Sequence, residues 1–223
     1  MQAIHYYFIR HGETVANATN KVQGWTDSPL TPLGKEQMQH LSHSLSRICF
    51  DIAFCSDLNR SITSSQILLS QQNKHIKATP LKEFRELYYG GLEGHDLQQA
   101  WPKSLSEEAL FKAKQNIPQN QWIPQIIDTL SQRDPEGKAE DFMTFWDRLE
   151  EGMLKVYDDA IEYRLDHMTP VVNVAIVFHH TPIRSFLHEV LPEFNLASPL
   201  GYGHYGHVLY RNGSYTLLEW DQA

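Results

Sequence analysis

The chain is short of cysteine. Cys49 and Cys55 are its two thiols, and their spacing is neither a redox C-x-x-C pair nor a zinc arrangement. Positive charge is also in deficit: 19 Lys and Arg face 27 Asp and Glu, for a net charge of -8. Neutralising a phosphate backbone needs a basic surface, so nucleic acid is not an expected partner. No apolar run reaches the thickness of a bilayer, so no membrane span is expected. A strand-like run already begins at residue 3, so no signal peptide is expected. A cytoplasmic, reduced setting is therefore expected, with Cys55 a buried thiol at the end of an apolar run. No repeat or low-complexity stretch interrupts the 223 residues. About half of the acidic residues fall between Glu107 and Asp166, a pattern read as a solvated helical face.

What is present is a layered α/β pattern. The runs AIHYYFI (3–9), FDIAFC (50–55) and VVNVAIVF (171–178) are short and almost continuously apolar, as parallel strands covered on both faces are. Helical patterns separate them. In TPLGKEQMQHLSHSL, Thr31 is placed to cap and Pro32 to open a helix, with Met38, Leu41, Leu45 and Ile48 on its buried face. In TPIRSFLHEVLP the same reading makes Thr181 the cap, Pro182 the first residue and Pro192 the stop. SDLNRSITSSQILL reads as another strand-to-helix passage. Residues 139–165 read as one long amphipathic helix through Phe142, Phe145, Trp146, Leu149, Val156 and Tyr157. HVLYRNGSYTLLEW reads as a hairpin, with Asn212-Gly213 suited to a type I′ turn. Residues 95–138, with Pro102, Pro118, Pro124 and Pro135 among short helical patches, fit the alternation less well. They are expected to form an inserted lobe over the sheet. Length allows a single domain, 1–223, with that lobe inside it.

Three of these strands end in polar clusters: RHGETVAN, SDLNR and HHTPIR. Ligands of open α/β sheets bind outside the carboxyl ends of the strands, so the clusters are expected to converge. Arg10 and Arg60 offer forked donors suited to phosphoryl oxygens. His11 and His179 each follow a strand, and His179 also precedes a helix N-terminus, where N–H groups favour an anion. Gly12 permits close backbone approach. Two arginines and two histidines at three strand ends are hard to obtain by packing alone, so an anion site of phosphate type is expected. A neutral imidazole can attack phosphorus if an acceptor, often a backbone carbonyl, holds its other nitrogen as N–H. A carboxylic acid is then needed for the leaving oxygen. EFRELYYGGLEG (83–94) offers Glu83, Glu86 and Glu93, and the residues alone do not choose among them.

Together FIRHGET with Asn17, QGWTDSPLTPLG, CSDLNRSITS, ELYYGGLEG and VFHHTPIR resemble the histidine phosphatase superfamily, whose best-known branch is the cofactor-dependent phosphoglycerate mutases. The resemblance runs in order from residue 3 to about 94 and resumes near 140–190. It implies a three-layer α/β/α fold with a mostly parallel central sheet and an inserted helical lobe over the strand C-terminal ends. It implies that His11 is the nucleophile that becomes phosphohistidine, that Glu86 is the acid and base, and that His179 is the second pocket histidine, cationic when phosphate is bound. Arg10, Arg60, Asn17 and His179 match phosphate-binding positions. Gln23 and Gly24 match positions that contact the phosphoryl group or substrate. No metal or other cofactor is expected. The expected partner is a small phosphorylated substrate; oligomeric state is not readable.

Two positions depart from the family pattern. His180 stands where glycine usually follows the second histidine, so it either turns away or contacts substrate. Leu87 stands where glycolytic mutases usually carry an arginine, and the lobe has only scattered Lys103, Lys112, Lys114, Lys138 and Arg133 in place of an arginine pair. A mutase must retain a doubly anionic intermediate, so a phosphatase is the expected activity. A phosphoglycerate mutase is the alternative, and a non-catalytic phospho-ligand module is disfavoured because every expected position is filled. Tyr88, Tyr89 and Trp101 suit either a substrate pocket, where Tyr89 is the candidate contact, or lobe core. His204 and His207 lack in local sequence the carboxylate or cysteine neighbours a metal would want. The apolar and aromatic content of the lobe suggests a leaving group without high charge.

Overall fold

The computed structural model describes residues 3–72, 74–100, 122–196 and 198–223. Trp101, Pro102, Lys103, Lys112, Lys114 and Pro118 lie outside them. The strands are β1 (Ala3–Arg10), β2 (Ile52–Ser56), β3 (Thr79–Leu81), β4 (Val171–Phe178), β5 (Tyr205–Arg211) and β6 (Ser214–Gln222). The helices are α1 (Val15–Ala18), α2 (Pro32–Ser44), α3 (Asn59–Leu69), α4 (Leu97–Ala100), α5 (Trp122–Ser131), α6 (Phe142–Asp166) and α7 (His180–Val190).

The six strands form one mixed sheet, ordered β3-β2-β4-β1-β5-β6. The β3-β2, β2-β4 and β4-β1 pairs are parallel. The β1-β5 and β5-β6 pairs are antiparallel. The apolar strands β1 and β4 lie in the centre because helices cover both their faces. Tyr6, Phe8, Val174, Ile176 and Phe178 point into one core with Phe145, Leu149 and Val156 of α6 and Ile183 and Leu187 of α7. Tyr7, Ile9, Ala175 and Val177 point into the other with Met38 and Leu41 of α2 and Leu68 of α3. The three-layer α/β/α reading of the sequence is the architecture found.

Local signals placed most of the elements. Thr31 caps α2, its hydroxyl accepting the Gly34 N–H at 2.9 Å, and Pro32 opens it. Asp141 caps α6 through the Thr144 N–H. Asn212 and Gly213 have φ of 52° and 80°, the two positive values a type I′ turn requires. One expectation is corrected: α7 starts at His180, its N-cap is His179, and Thr181 does not cap it. The Thr181 N–H instead meets Glu86 Oε2 at 3.3 Å. A distant carboxyl takes over the task of a local hydroxyl, which the chain's own neighbourhood could not reveal. Of the lobe expected over 95–138, the described parts include α4 and α5; Ile127 and Leu130 of α5 are buried in the core beside α6.

Candidate active site

Register builds the site. In the parallel pair of β1 and β4, Arg10 lies beside Phe178, so the residues that follow, His11 and His179, emerge together. Their ring centroids are 5.1 Å apart and the rings are tilted by 64°. The next strand over, β2, ends at Ser56 and feeds α3, whose second residue is Arg60. Ser61 Oγ lies 3.4 Å from His179 Nε2, so the third strand end reaches the same place. The convergence expected of the three polar clusters is therefore present.

His11 is 5% exposed. Its Nδ1 donates to the Gly12 carbonyl at 2.8 Å, which fixes the tautomer and leaves Nε2 without a proton. Burial, then the guanidinium groups of Arg60 and Arg10, push this ring well below the ordinary imidazole range. Burial and Arg60 act in the same direction on His179, followed by His11 itself. Both environments therefore favour the neutral ring.

The two arginines are fastened through part of their guanidinium groups. Arg60, 1% exposed, donates from Nη2 to the Gly24 carbonyl at 2.6 Å and from Nη1 to the Thr26 carbonyl and Asp27 Oδ1 at 3.1 and 3.2 Å. Arg10 donates from Nη1 to the Leu200 carbonyl at 2.6 Å and lies over the Tyr202 ring at 3.8 Å. The buried Nε of each arginine and Nδ1 of His179 have no hydrogen-bond partner among the described residues. Buried donors are ordinarily satisfied, so unspent donors in a cluster of cations and imidazoles have the character of an anion site.

The three carboxyl groups that the residues alone left open separate clearly. Glu83 pairs with Lys155 at 2.6 Å. Glu93 is spent on backbone, accepting from Trp25, Thr26 and Tyr89 at 2.7, 2.6 and 3.3 Å. Glu86 is 7% exposed, accepts from the Leu87 and Thr181 N–H groups, and lies in the field of Arg10 and Arg60. Burial raises it above the usual carboxylate range, against the pull of those hydrogen bonds and of Arg60. Of the three it is the carboxyl group whose burial favours the protonated form, and it reaches the N–H of Thr181, two residues after His179.

The remaining candidates sit around this centre. Asn17 Oδ1 and Gln23 Oε1 converge on the Thr14 hydroxyl at 2.8 and 2.6 Å. Gly24 supplies the carbonyl that holds Arg60, and a side chain there would strike the Glu93 carboxylate and the Leu87 carbonyl. Tyr89 packs against the main core with its phenol raised by burial and then by Glu86. Tyr88 packs against Trp25, the ring centroids 4.8 Å apart and the rings tilted by 35°. His180 Nε2 lies 3.3 Å from Arg184 Nη1, and burial, Arg10 and Arg184 together push this ring well below the imidazole range.

Some contributors were missed. Tyr202 and Leu200 hold Arg10, contacts that nothing in their local sequence marks. Arg148 holds the Glu86 loop from α6, where nothing but its charge marked it. His204 and His207 do have carboxylate neighbours, Asp221 at 2.8 Å and Glu219 at 3.4 Å, brought in by the β6 strand. Among the described residues no group of three or more His, Cys, Asp or Glu is placed to hold a metal ion. No helix among them is long and apolar enough to cross a membrane.

Comparison with known proteins gives a family match over most of the chain. The profile of the histidine phosphatase superfamily (branch 1) matches residues 6–223. The adenosylcobalamin/alpha-ribazole phosphatase of Escherichia coli K12 is 36% identical over 87 residues, covering 39% of this chain and 42% of that protein. A probable phosphoglycerate mutase, GpmB, of Serratia proteamaculans is 29% identical over 137 residues, 61% of this chain and 56% of that protein. The chain thus spans about half the length of these curated relatives. The crystal structure of a phosphoglycerate mutase from Bacillus anthracis superposes with a TM-score of 0.80 at 26% identity, covering 99% of this chain and 94% of that one.

Proposed function

The chain belongs to the histidine phosphatase superfamily, and from that premise we propose that it is a metal-independent phosphomonoesterase acting on a small phosphorylated metabolite through phosphohistidine. The observation that carries this reading is the His11 tautomer: the Gly12 carbonyl holds Nδ1–H, so Nε2 keeps its lone pair. Nε2 attacks phosphorus in line, the P–O bond to the leaving group breaks, and the Glu86 proton passes to the departing oxygen. A water then gives its proton to Glu86 as its oxygen attacks phosphorus, and the P–N bond breaks to free His11 and inorganic phosphate. Arg10 and Arg60 carry the charge of the equatorial oxygens. A phosphoryl dianion between the rings opposes the field of the arginines, which supports His179 taking up a proton when substrate binds. Asn17 belongs to the phosphoryl site in this reading, and Gln23, Gly24, Tyr89 and His180 to the substrate rim.

Two observations favour hydrolysis over mutase chemistry. Leu87 is 1% exposed in the core, so the position after Glu86 offers no cation. Arg148 is committed to Glu140 and to backbone, so it is not available to grip a second phosphate. The match to residues 6–223 supports one catalytic unit with an inserted lobe over 95–138.

The test is phosphate release from a panel of phosphomonoesters, 3-phosphoglycerate included, with chelator present and His11→Ala alongside. Release by wild type alone, with a folded variant, supports the reading. Turnover by His11→Ala sinks the mechanism. Primed isomerisation of phosphoglycerate without net phosphate release returns the protein to the mutases.

A further inference from the structure

Residues 83–88 carry Glu86 with little secondary structure of their own beyond the 3-10 turn Lys82–Phe84. Buried backbone groups in such a segment must find partners elsewhere. One side chain supplies a partner to three of the carbonyls. Arg148 donates from Nη1 to the carbonyls of Glu83 and Arg85 at 2.9 and 2.7 Å, and from Nη2 to that of Glu86 at 2.8 Å. The same guanidinium meets Glu140 fork to fork, Nε to Oε1 at 2.6 Å and Nη2 to Oε2 at 2.7 Å. Glu140 Oε2 also accepts the Tyr88 N–H, and the Glu140 N–H donates to the Tyr88 carbonyl, both at 2.9 Å. Trp25 Nε1 adds a further bond to the Glu86 carbonyl at 2.9 Å. The two side chains are 15% and 6% exposed.

A buried ion pair by itself is weak evidence of purpose, since its desolvation offsets its attraction. This pair is unusual in what its other hydrogen bonds reach: Arg148 donates to the carbonyls of residues 83, 85 and 86 and Glu140 accepts the N–H of residue 88, on both sides of one carboxyl group. We propose that Arg148, oriented by Glu140, is a positioning residue that sets where the Glu86 carboxyl meets the leaving-group oxygen. The proposal rests on the reading of Glu86 as the acid. Misplacing a catalytic group by about 1 Å costs on the order of 100-fold. The loss falls on the step that needs the proton.

That selectivity separates positioning from mere support. The experiment measures kcat/KM, which reports phosphoryl transfer to His11, across aryl phosphates of graded leaving-group acidity and one alkyl phosphate. p-Nitrophenolate departs with little help from an acid; an alkoxide does not. Arg148→Met is expected to lose about 100-fold on the alkyl ester and less than about tenfold on p-nitrophenyl phosphate, steepening the dependence on leaving-group pKa. Arg148→Lys keeps charge without the fork and falls between. The double variant with Glu86→Gln is no worse on the alkyl ester than Glu86→Gln alone. Parallel losses on all substrates, or none, overturn the proposal. If circular dichroism shows Arg148→Met unfolded, Glu140→Gln is read by the same slope, with the same two outcomes. If Glu86→Gln itself leaves the slope unchanged, the acid assignment falls and takes this one with it. A steep slope for Glu86→Gln but not for Arg148→Met removes the positioning role alone.

Discussion

His11 and His179 stand edge to face, 5.1 Å apart, as neutral rings beside two guanidinium groups. Evolution of charge at this spot is therefore coupled to folding. His11, His179 and His180 are all pushed well below the ordinary imidazole value near 6.5 by burial first and by arginines next. Above that value both folded and unfolded chains hold these rings neutral, and the shifts contribute nothing. As pH falls through it, the unfolded chain binds protons that the native chain refuses. Stability then drops by up to about 1.4 kcal/mol per ring per pH unit. The ligand-free protein is expected to lose thermal stability between about pH 7 and pH 5, and His179→Asn to lose less over the same interval. A wild-type melting curve no steeper in pH than the variant's contradicts buried neutral rings.

Glu86 works in the opposite direction. Burial raises its pKa in the folded chain, so below the ordinary value near 4.5 both states are protonated and no difference arises. As pH rises from there, the unfolded chain ionises first and the native state is progressively disfavoured. The penalty is complete above the raised folded value. Glu86→Gln carries no such penalty, although its amide suits the Thr181 N–H less well. The stability difference between variant and wild type is therefore expected to move in favour of the variant from about pH 4 to pH 8, while kcat/KM on alkyl phosphates falls about 100-fold or more. Denaturant melts at both ends of that range decide it. A pH-independent difference would show that Glu86 is ionised in the resting protein.

These groups differ in how far the sequence announced them. Arg10, His11, Arg60 and His179 were legible because each lies at or shortly after the end of an apolar strand, and strand ends of a parallel sheet share one edge. The α2 cap at Thr31 and the Asn212-Gly213 turn were legible because their chemistry is local. Thr181 misled because the same Thr-Pro pair that opens α2 occurs inside α7, where the Glu86 carboxyl receives its N–H. Arg148 and Glu140 reach Glu86 across more than fifty residues, and Asp221 reaches His204 only through the pairing of β5 with β6. Periodicity and spacing carry no information about such contacts. Register and packing create them.

Arg60 should be sensitive to a change that keeps its charge. Its guanidinium ties α3 to the carbonyls of Gly24 and Thr26 and to Asp27, and a lysine ammonium cannot hold that geometry. Each charge-assisted bond lost costs about 1.5–3 kcal/mol. Arg60→Lys is expected to raise KM for every phosphomonoester and Ki for inorganic phosphate together, by about tenfold or more. The effect should be independent of leaving-group acidity, unlike that of Arg148→Met. Inhibition constants for phosphate settle it; an unchanged Ki removes Arg60 from the phosphoryl site.

The loop that carries the His11 acceptor is held from below by a contact between backbones. Gly34, in the first turn of α2, packs against the Glu13 carbonyl, and Gly12 packs against the Gly34 carbonyl, so that a Cβ on either glycine would strike main chain. Main chain cannot swing aside as a side chain can. The Thr31 N–H also donates to the Glu13 carbonyl at 2.9 Å, which pins the two segments together. Gly34→Ala is therefore expected to cost about 1–3 kcal/mol of stability, the range for overpacking. It should also shift residues 12 and 13 away from α2 and disturb the Nδ1 bond that sets the His11 tautomer. Phosphohistidine formation should slow alike for aryl and alkyl esters, because the nucleophile rather than the acid is affected. Single-turnover phosphorylation and a thermal melt on the same variant test both halves. Wild-type rates with a lowered melting temperature would confine the contact to folding, and an unchanged melt would show that α2 can yield.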